Sequence, residues 1–141
     1  MVDETYAAAL RHKLRLSAGQ RALALGGPTE YDAGLCETLG VDAVATEAVS
    51  GASYDLVSLF ARSVAALSAN APAAIAATKP QGALWIMWIK KSSPRAADLD
   101  RDTLWPLIEP LGWGPVASIS VDDDWSALRF RPENAIERKS R

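Results

Sequence analysis

Two residue types that carry much of enzyme chemistry are almost missing: among 141 residues there is one cysteine, Cys36, and one histidine, His12. A lone thiol excludes an internal disulfide and a multi-thiolate metal site, and it suits a reducing cytosol. A lone imidazole would leave any zinc centre or Ser-His-Asp triad dependent on His12. That residue sits in ALRHKLRL among basic neighbours and reads as a surface histidine. No metal site is expected. Long apolar runs are also absent, since the longest, Ala83–Ile89, falls far short of the about 20 residues a membrane helix needs. The opening MVDETYAAAL has acids where a secretory leader would have basic residues, and it has no apolar stretch to follow them. A cytoplasmic protein without a membrane span is expected. Nor is there an excess of positive charge: 15 Lys and Arg against 17 Asp and Glu give a net charge of −2, so no nucleic-acid partner is expected.

What is present is an ordinary globular composition, 49% apolar and 23% charged, in a chain of single-domain length. The first residues predict a short helix, with Tyr6, Leu10 and Leu14, that turns at Ser17-Ala18-Gly19. Arg21–Leu25 predicts a strand stopped by Gly26-Gly27-Pro28. Thr29 then caps a helix that carries Leu35, Cys36 and Leu39 inward and ends at Gly40. Val41–Val49 predicts a second strand, Ser50-Gly51 a turn, and Tyr54–Phe60 a third strand. Alanine-rich helix follows in two pieces, from Arg62 to Leu67 and again from Asn70, which would cap the second piece with Pro72 in its first turn. Gly82–Ile89, apolar on both faces, predicts a central strand covered on both sides. Leu104, Leu107, Ile108 and Leu111 make one helical face capped by Asp102 and stopped at Gly112. Val116–Val121 and Trp125–Phe130, joined by Asp122-Asp123-Asp124, read as a hairpin.

Strands alternating with helices and closed by a hairpin predict an α/β fold, a three-layer αβα sandwich with a mostly parallel, Rossmann-like sheet ending in an antiparallel hairpin. One domain is expected over residues 1–131, followed by a polar, flexible tail over 132–141. An exposed sheet edge or the hairpin would support a homodimer or a protein partner.

In such sheets ligands collect beyond the carboxyl ends of the strands. Lys90, Lys91 and Arg95 place three cations there within six residues, with Ser92 and Ser93 as hydroxyl donors, and together they make a candidate anion site. The other reading is a solvated loop whose cations are neutralised by Asp98, Asp100 and Asp102 just downstream. Gly26-Gly27 either lets a ligand approach the backbone at a helix N-terminus or is simply a tight turn. The three consecutive aspartates do not converge on one ion and read as turn chemistry. The five tryptophans read as core packing rather than as base-stacking platforms.

The order from YDLV through a helix, KPQGALW, a helix ending in PLGW and a final hairpin resembles the second half of the S-adenosylmethionine-dependent methyltransferases. There a Lys-Pro-x-Gly turn commonly precedes the strand written here as GALWIMW. KLRLSAGQRALALGGP, YDLVSLF, LWIMWIKKSS, DLDRD and DDDWSALRFRP together resemble a bacterial family catalogued as a domain of unknown function, with the KKSS loop and the DxWSxLRF hairpin as its most specific marks. That resemblance implies a shortened methyltransferase-like fold and no established activity.

The methyltransferase resemblance implies S-adenosylmethionine as cofactor, Gly26 and Gly27 as the glycine loop and Glu47 as the acid for the ribose hydroxyls. The loop LALGGPTEY departs from that pattern: the glycines are adjacent, Pro28 removes a backbone donor, and no acid precedes them. The chain also reads as one βα unit short. The expectation is a non-catalytic methyltransferase-like domain that binds a small anionic ligand or a protein partner at the carboxyl edge of the sheet. The alternative is an enzyme acting on an anionic small molecule, with S-adenosylmethionine-dependent methyl transfer among its options.

Overall fold

The apolar run Ala83–Ile89 is the second half of β4 (Thr78–Ile89), and its alternate residues feed two separate cores. Leu84, Ile86 and Trp88 face one core; Trp85, Met87 and Ile89 face the other. A strand with polar residues on one face would serve only one. Each of these side chains contributes roughly 1.5 to 3 kcal/mol by leaving water, so this strand anchors both layers.

The structure is a computed structural model that describes residues 4–49, 51–94 and 98–135. Around β4 the chain runs through α1 (Glu4–Leu14), β1 (Ala22–Leu25), α2 (Thr29–Leu39), β2 (Val44–Ala45), β3 (Tyr54–Phe60), α3 (Val64–Ala76), α4 (Arg101–Ile108), β5 (Trp113–Ser120) and β6 (Trp125–Pro132). The sheet order is β2-β1-β3-β4-β6-β5. β1 to β4 run parallel, and β6 pairs antiparallel with both β4 and β5. Leu10, Leu14, Tyr31 and Leu35 bring α1 and α2 onto one face; Leu67, Ala71, Leu104 and Ile108 bring α3 and α4 onto the other. The expected three-layer αβα sandwich is therefore what forms. No helix among the described residues is long and apolar enough to cross a membrane.

Several boundaries differ from the sequence expectation for identifiable reasons. Val41–Val49 is not one strand: a 3-10 turn at Val41–Ala43 precedes the two-residue β2, and Val41 and Val49 stay exposed. β2 is the edge strand, and among the described residues no further strand lies beyond it for a longer β2 to pair with. Between β2 and β3 no helix occurs among the described residues, in line with the missing βα unit.

The alanine-rich segment is one helix rather than two. Ser63 caps it by accepting from the Ala66 N–H at 3.0 Å, and Asn70 lies inside it, donating back to the Ala66 carbonyl at 2.9 Å. Pro72 is tolerated in the interior because the carbonyl it leaves without a donor belongs to exposed Ser68.

β4 begins four residues earlier than Gly82. Tyr54 pairs with Thr78 but Leu56 pairs with Ala83, so Lys79-Pro80-Gln81-Gly82 forms a bulge that accommodates the proline. α4 is capped by Asp100, not Asp102. Thr29 opens α2 without a side-chain cap, since Pro28 holds the cap position; Leu35 is fully buried, whereas Cys36 and Leu39 are half-buried. Most of the C-terminal tail, residues 136–141, lies outside the described residues.

Candidate functional site

In this sheet β2 lies to one side of β1 and β3 to the other, so the topological switch point falls between the carboxyl ends of β1 and β3. Gly26 follows β1 there, with φ at +73°, a conformation that glycine adopts without strain. Arg62 follows β3, and its Nη1 donates to the Gly26 carbonyl at 2.7 Å, spanning the switch point.

The floor of this crevice is a row of rings. A Cβ on Gly27 would stand 2.7 Å from Cε1 of Phe60, so the glycine lies flat on that ring. Phe60 in turn meets Tyr31 edge-on at 4.7 Å and Trp125 edge-on at 4.8 Å. The Arg62 guanidinium sits 5.3 Å over the Trp125 ring before returning to Gly26. The Tyr31 hydroxyl shares a 2.6 Å hydrogen bond with Ser58 in the core, and burial pushes its pKa upward. Gly27 is thus packed from below by Phe60, and the Gly26 carbonyl is bound from the side by Arg62.

The candidate lysines are each directed to the chain itself. Lys90 donates to the Ser120 hydroxyl at 2.6 Å, and its backbone N–H binds the Asp124 carbonyl at 2.8 Å. Lys91 pairs with Asp100 at 2.9 Å, in keeping with the reading of a loop neutralised by downstream acids; its side chain is 75% exposed. Bonds from Lys91 and from the backbone and hydroxyl of Thr103 hold the Asp100 carboxyl down to about 2. Ser92 is exposed, Ser93 is buried with its N–H on the Lys90 carbonyl, and Arg95 lies outside the described residues. Lys90 and Arg62 are brought toward the same hairpin end, through Asp124 and Trp125 respectively.

At this edge the N-termini of α3 and α4 are answered by the chain's own acids. Asp98 accepts the Val64 N–H at 2.9 Å at the start of α3, and Asp100 caps α4. Glu30 and Asp32 lie in the first turn of α2. At the starts of α3 and α4 an anion must therefore be held by side-chain cations rather than by orphan N–H groups.

Glu47 is exposed just past β2, where the resembled family carries its ribose acid. The remaining residues suit S-adenosylmethionine poorly: Arg62 takes the Gly26 carbonyl, Phe60 fills the space under Gly27, and Pro28 offers no N–H. Asp122 behaves as turn chemistry, its Oδ1 accepting from the N–H groups of Asp124 at 2.8 Å and Trp125 at 2.9 Å. No group of metal-ligating side chains occurs among the described residues. Trp85, Trp88, Trp113 and Trp125 are buried, and Trp105 is half-exposed at 38%.

No protein-family model matches the chain, and no curated protein does. Solved structures do. The mitomycin 7-O-methyltransferase MmcR superposes with a TM-score of 0.62 at 11% identity over 91% of this chain. The fold is methyltransferase-like. A putative methyltransferase from Pseudomonas syringae gives 0.59 at 16% identity, covering 89% of this chain and 96% of its own. A SAM-dependent methyltransferase from Geobacter sulfurreducens, solved with S-adenosyl-L-homocysteine, gives 0.57 at 11% identity over 93% and 92% of the two chains. The present chain spans 53% of the MmcR chain. At such identities the likeness is one of fold.

Arg62 was not singled out from the sequence. The available signal was its position, an arginine two residues past the strand YDLVSLF, in a fold whose third strand borders the switch point.

Proposed function

We propose that this methyltransferase-like chain is a binding module that takes a small anionic ligand at the carboxyl edge of its sheet and does not transfer methyl groups. The observation that carries this reading is the Arg62 bridge to the Gly26 carbonyl across the switch point. It puts a cation where the fold offers its crevice, and it uses the backbone that a cofactor of the resembled family would approach. Lys90 and Lys91 supply further positive charge at the same edge. The exposed Lys91–Asp100 pair is cheap to exchange for a ligand carboxylate or phosphate.

A second reading, an enzyme acting on an anionic small molecule by S-adenosylmethionine-dependent methyl transfer, is favoured by Glu47 standing exposed just past β2. A thermal-shift screen with carboxylates, phosphorylated metabolites, nucleotides and S-adenosylmethionine separates the two, because a ligand of the native state raises its apparent stability. Stabilisation by anions that is lost in Arg62→Ala supports the binding module. Stabilisation by S-adenosylmethionine that is lost in Glu47→Ala supports the enzyme.

A further inference from the structure

A second concentration of positive charge lies away from that edge, on the α1-side face of β6. Arg129 stands directly opposite Trp85 of β4 and Ala117 of β5; Arg131 stands opposite Gly114 of β5. Being two residues apart on one strand, the two arginines share a face about 7 Å apart. The face is that of Trp85, Met87, Trp125 and Ala127, whose cluster also holds Leu14 and Leu16 from the end of α1. Between those leucines, Arg15 takes a left-handed backbone conformation at φ 56° and is exposed.

Nothing on the chain answers these charges among the described residues. No ion pair involves Arg15, Arg129 or Arg131. Nε of Arg129 and Nε of Arg131 are both shut off from solvent without a hydrogen-bond partner, and so is the indole Nε1 of Trp85, a residue only 2% exposed. Burial, then Arg131, then Arg15 lower the pKa of Arg129, so both other cations repel its charge. Half-buried guanidiniums in folded proteins are ordinarily paired with an acid, and no such partner stands beside these among the described residues. The outer strand opposes them only with Gly114 and Ala117, so no bulky side chain of β5 stands over them.

We infer that Arg129, Arg131 and Arg15 form an anion site on the α1-side face of β6, shaped for a phosphate group, with the Trp85 indole N–H as an added donor. Phosphate fits better than carboxylate: a dianion with oxygens in several directions can meet forked donors on three sides, whereas a single carboxylate would leave most of the charge unanswered. The site is distinct from the carboxyl edge, since Trp85 stands four strand residues, about 13 Å, short of Ile89.

The test is isothermal titration and thermal shift of the full chain with inorganic phosphate and pyrophosphate, against sodium chloride at matched ionic strength. The expected result is saturable binding, stronger for pyrophosphate, weakened about tenfold or more in Arg131→Gln and several-fold in Arg129→Lys, which keeps the charge and loses the fork. Arg15→Gln changes an exposed residue and guards against misfolding as an explanation. It should raise stability slightly in phosphate-free, low-salt buffer while reducing the phosphate response. Equal stabilisation by chloride, or wild-type pyrophosphate affinity in both Arg15→Gln and Arg131→Gln, would overturn the inference.

Discussion

Arg62 and Gly26 are joined across the switch point of the sheet by a 2.7 Å hydrogen bond from guanidinium to carbonyl. The same guanidinium covers the face of Trp125, so one exposed side chain ties the end of β1, the end of β3 and the start of β6 together. Replacing Arg62 by Ala removes a charge-assisted bond and a cation–π contact. The expected loss is about 1 kcal/mol by urea denaturation. Arg62→Lys should recover less than half, because an ammonium cannot lie flat on the ring and reach the carbonyl at once.

Two closely packed glycines, Gly27 and Gly82, should differ in how much they resist a methyl group. On Gly27 a Cβ would meet the Phe60 ring, an adjustable side chain, at 2.7 Å. On Gly82 it would meet the backbone carbonyls of Asp55 at 2.8 Å and of Tyr54 and Lys79 at 3.1 Å. Gly27→Ala should cost about 1 to 2 kcal/mol by overpacking, and Gly82→Ala more, because the bulge of β4 has no side chain to move aside. Equal midpoints in chemical denaturation would contradict this ordering.

Tyr31 and Ser58 satisfy each other in the core at 2.6 Å. Tyr31→Phe strands the serine hydroxyl, Ser58→Ala strands the phenol, and each should cost about 1 to 3 kcal/mol. The double variant should cost less than the sum of the two. A double-mutant cycle by calorimetry reads this coupling directly.

Acid lability should follow from two aspartates. The Arg21 N–H at 2.9 Å and Lys79 at 3.0 Å lower the pKa of Asp55, and Asp100 is held at about 2. Both folded values lie below the unfolded carboxylate value near 4, so the unfolded chain binds more protons in that window. Their contribution is complete above about pH 4 and is lost as pH falls through the folded values. Asp55→Asn should therefore flatten the melting temperature profile on the acid side. Asp32 runs the other way: burial raises its pKa and its Oδ1 has no partner among the described residues. Asp32→Asn should stabilise the chain at neutral pH, and a lower melting temperature there would refute that role.

Much of the fold could be read in advance because the decisive signals were local. GALWIMWI, apolar on both faces, predicts a doubly covered strand, and Gly40 ends its helix as expected, whereas α4 stops at Ile108 and Gly112 closes the 3-10 turn Glu109–Leu111 that follows it. The misplaced boundaries depended on neighbours the sequence does not show. β2 is short because it lies at the sheet edge; β4 extends through Pro80 because a bulge absorbs it; and Asn70 stays inside α3 because its amide bonds backward rather than capping. The same limit applies to the site. Lys90 and Lys91 stand out by composition, whereas Arg62 matters through Gly26, 36 positions away, and the arginines of β6 through strand pairing with Trp85.

The most direct measurement is calorimetric titration of S-adenosylmethionine and of a panel of small carboxylates and phosphates into the wild-type chain, Arg62→Ala and Glu47→Ala. The account predicts no heat from S-adenosylmethionine up to millimolar concentration, and binding of at least one anion that Arg62→Ala removes. Micromolar binding of S-adenosylmethionine, abolished by Glu47→Ala, would contradict it.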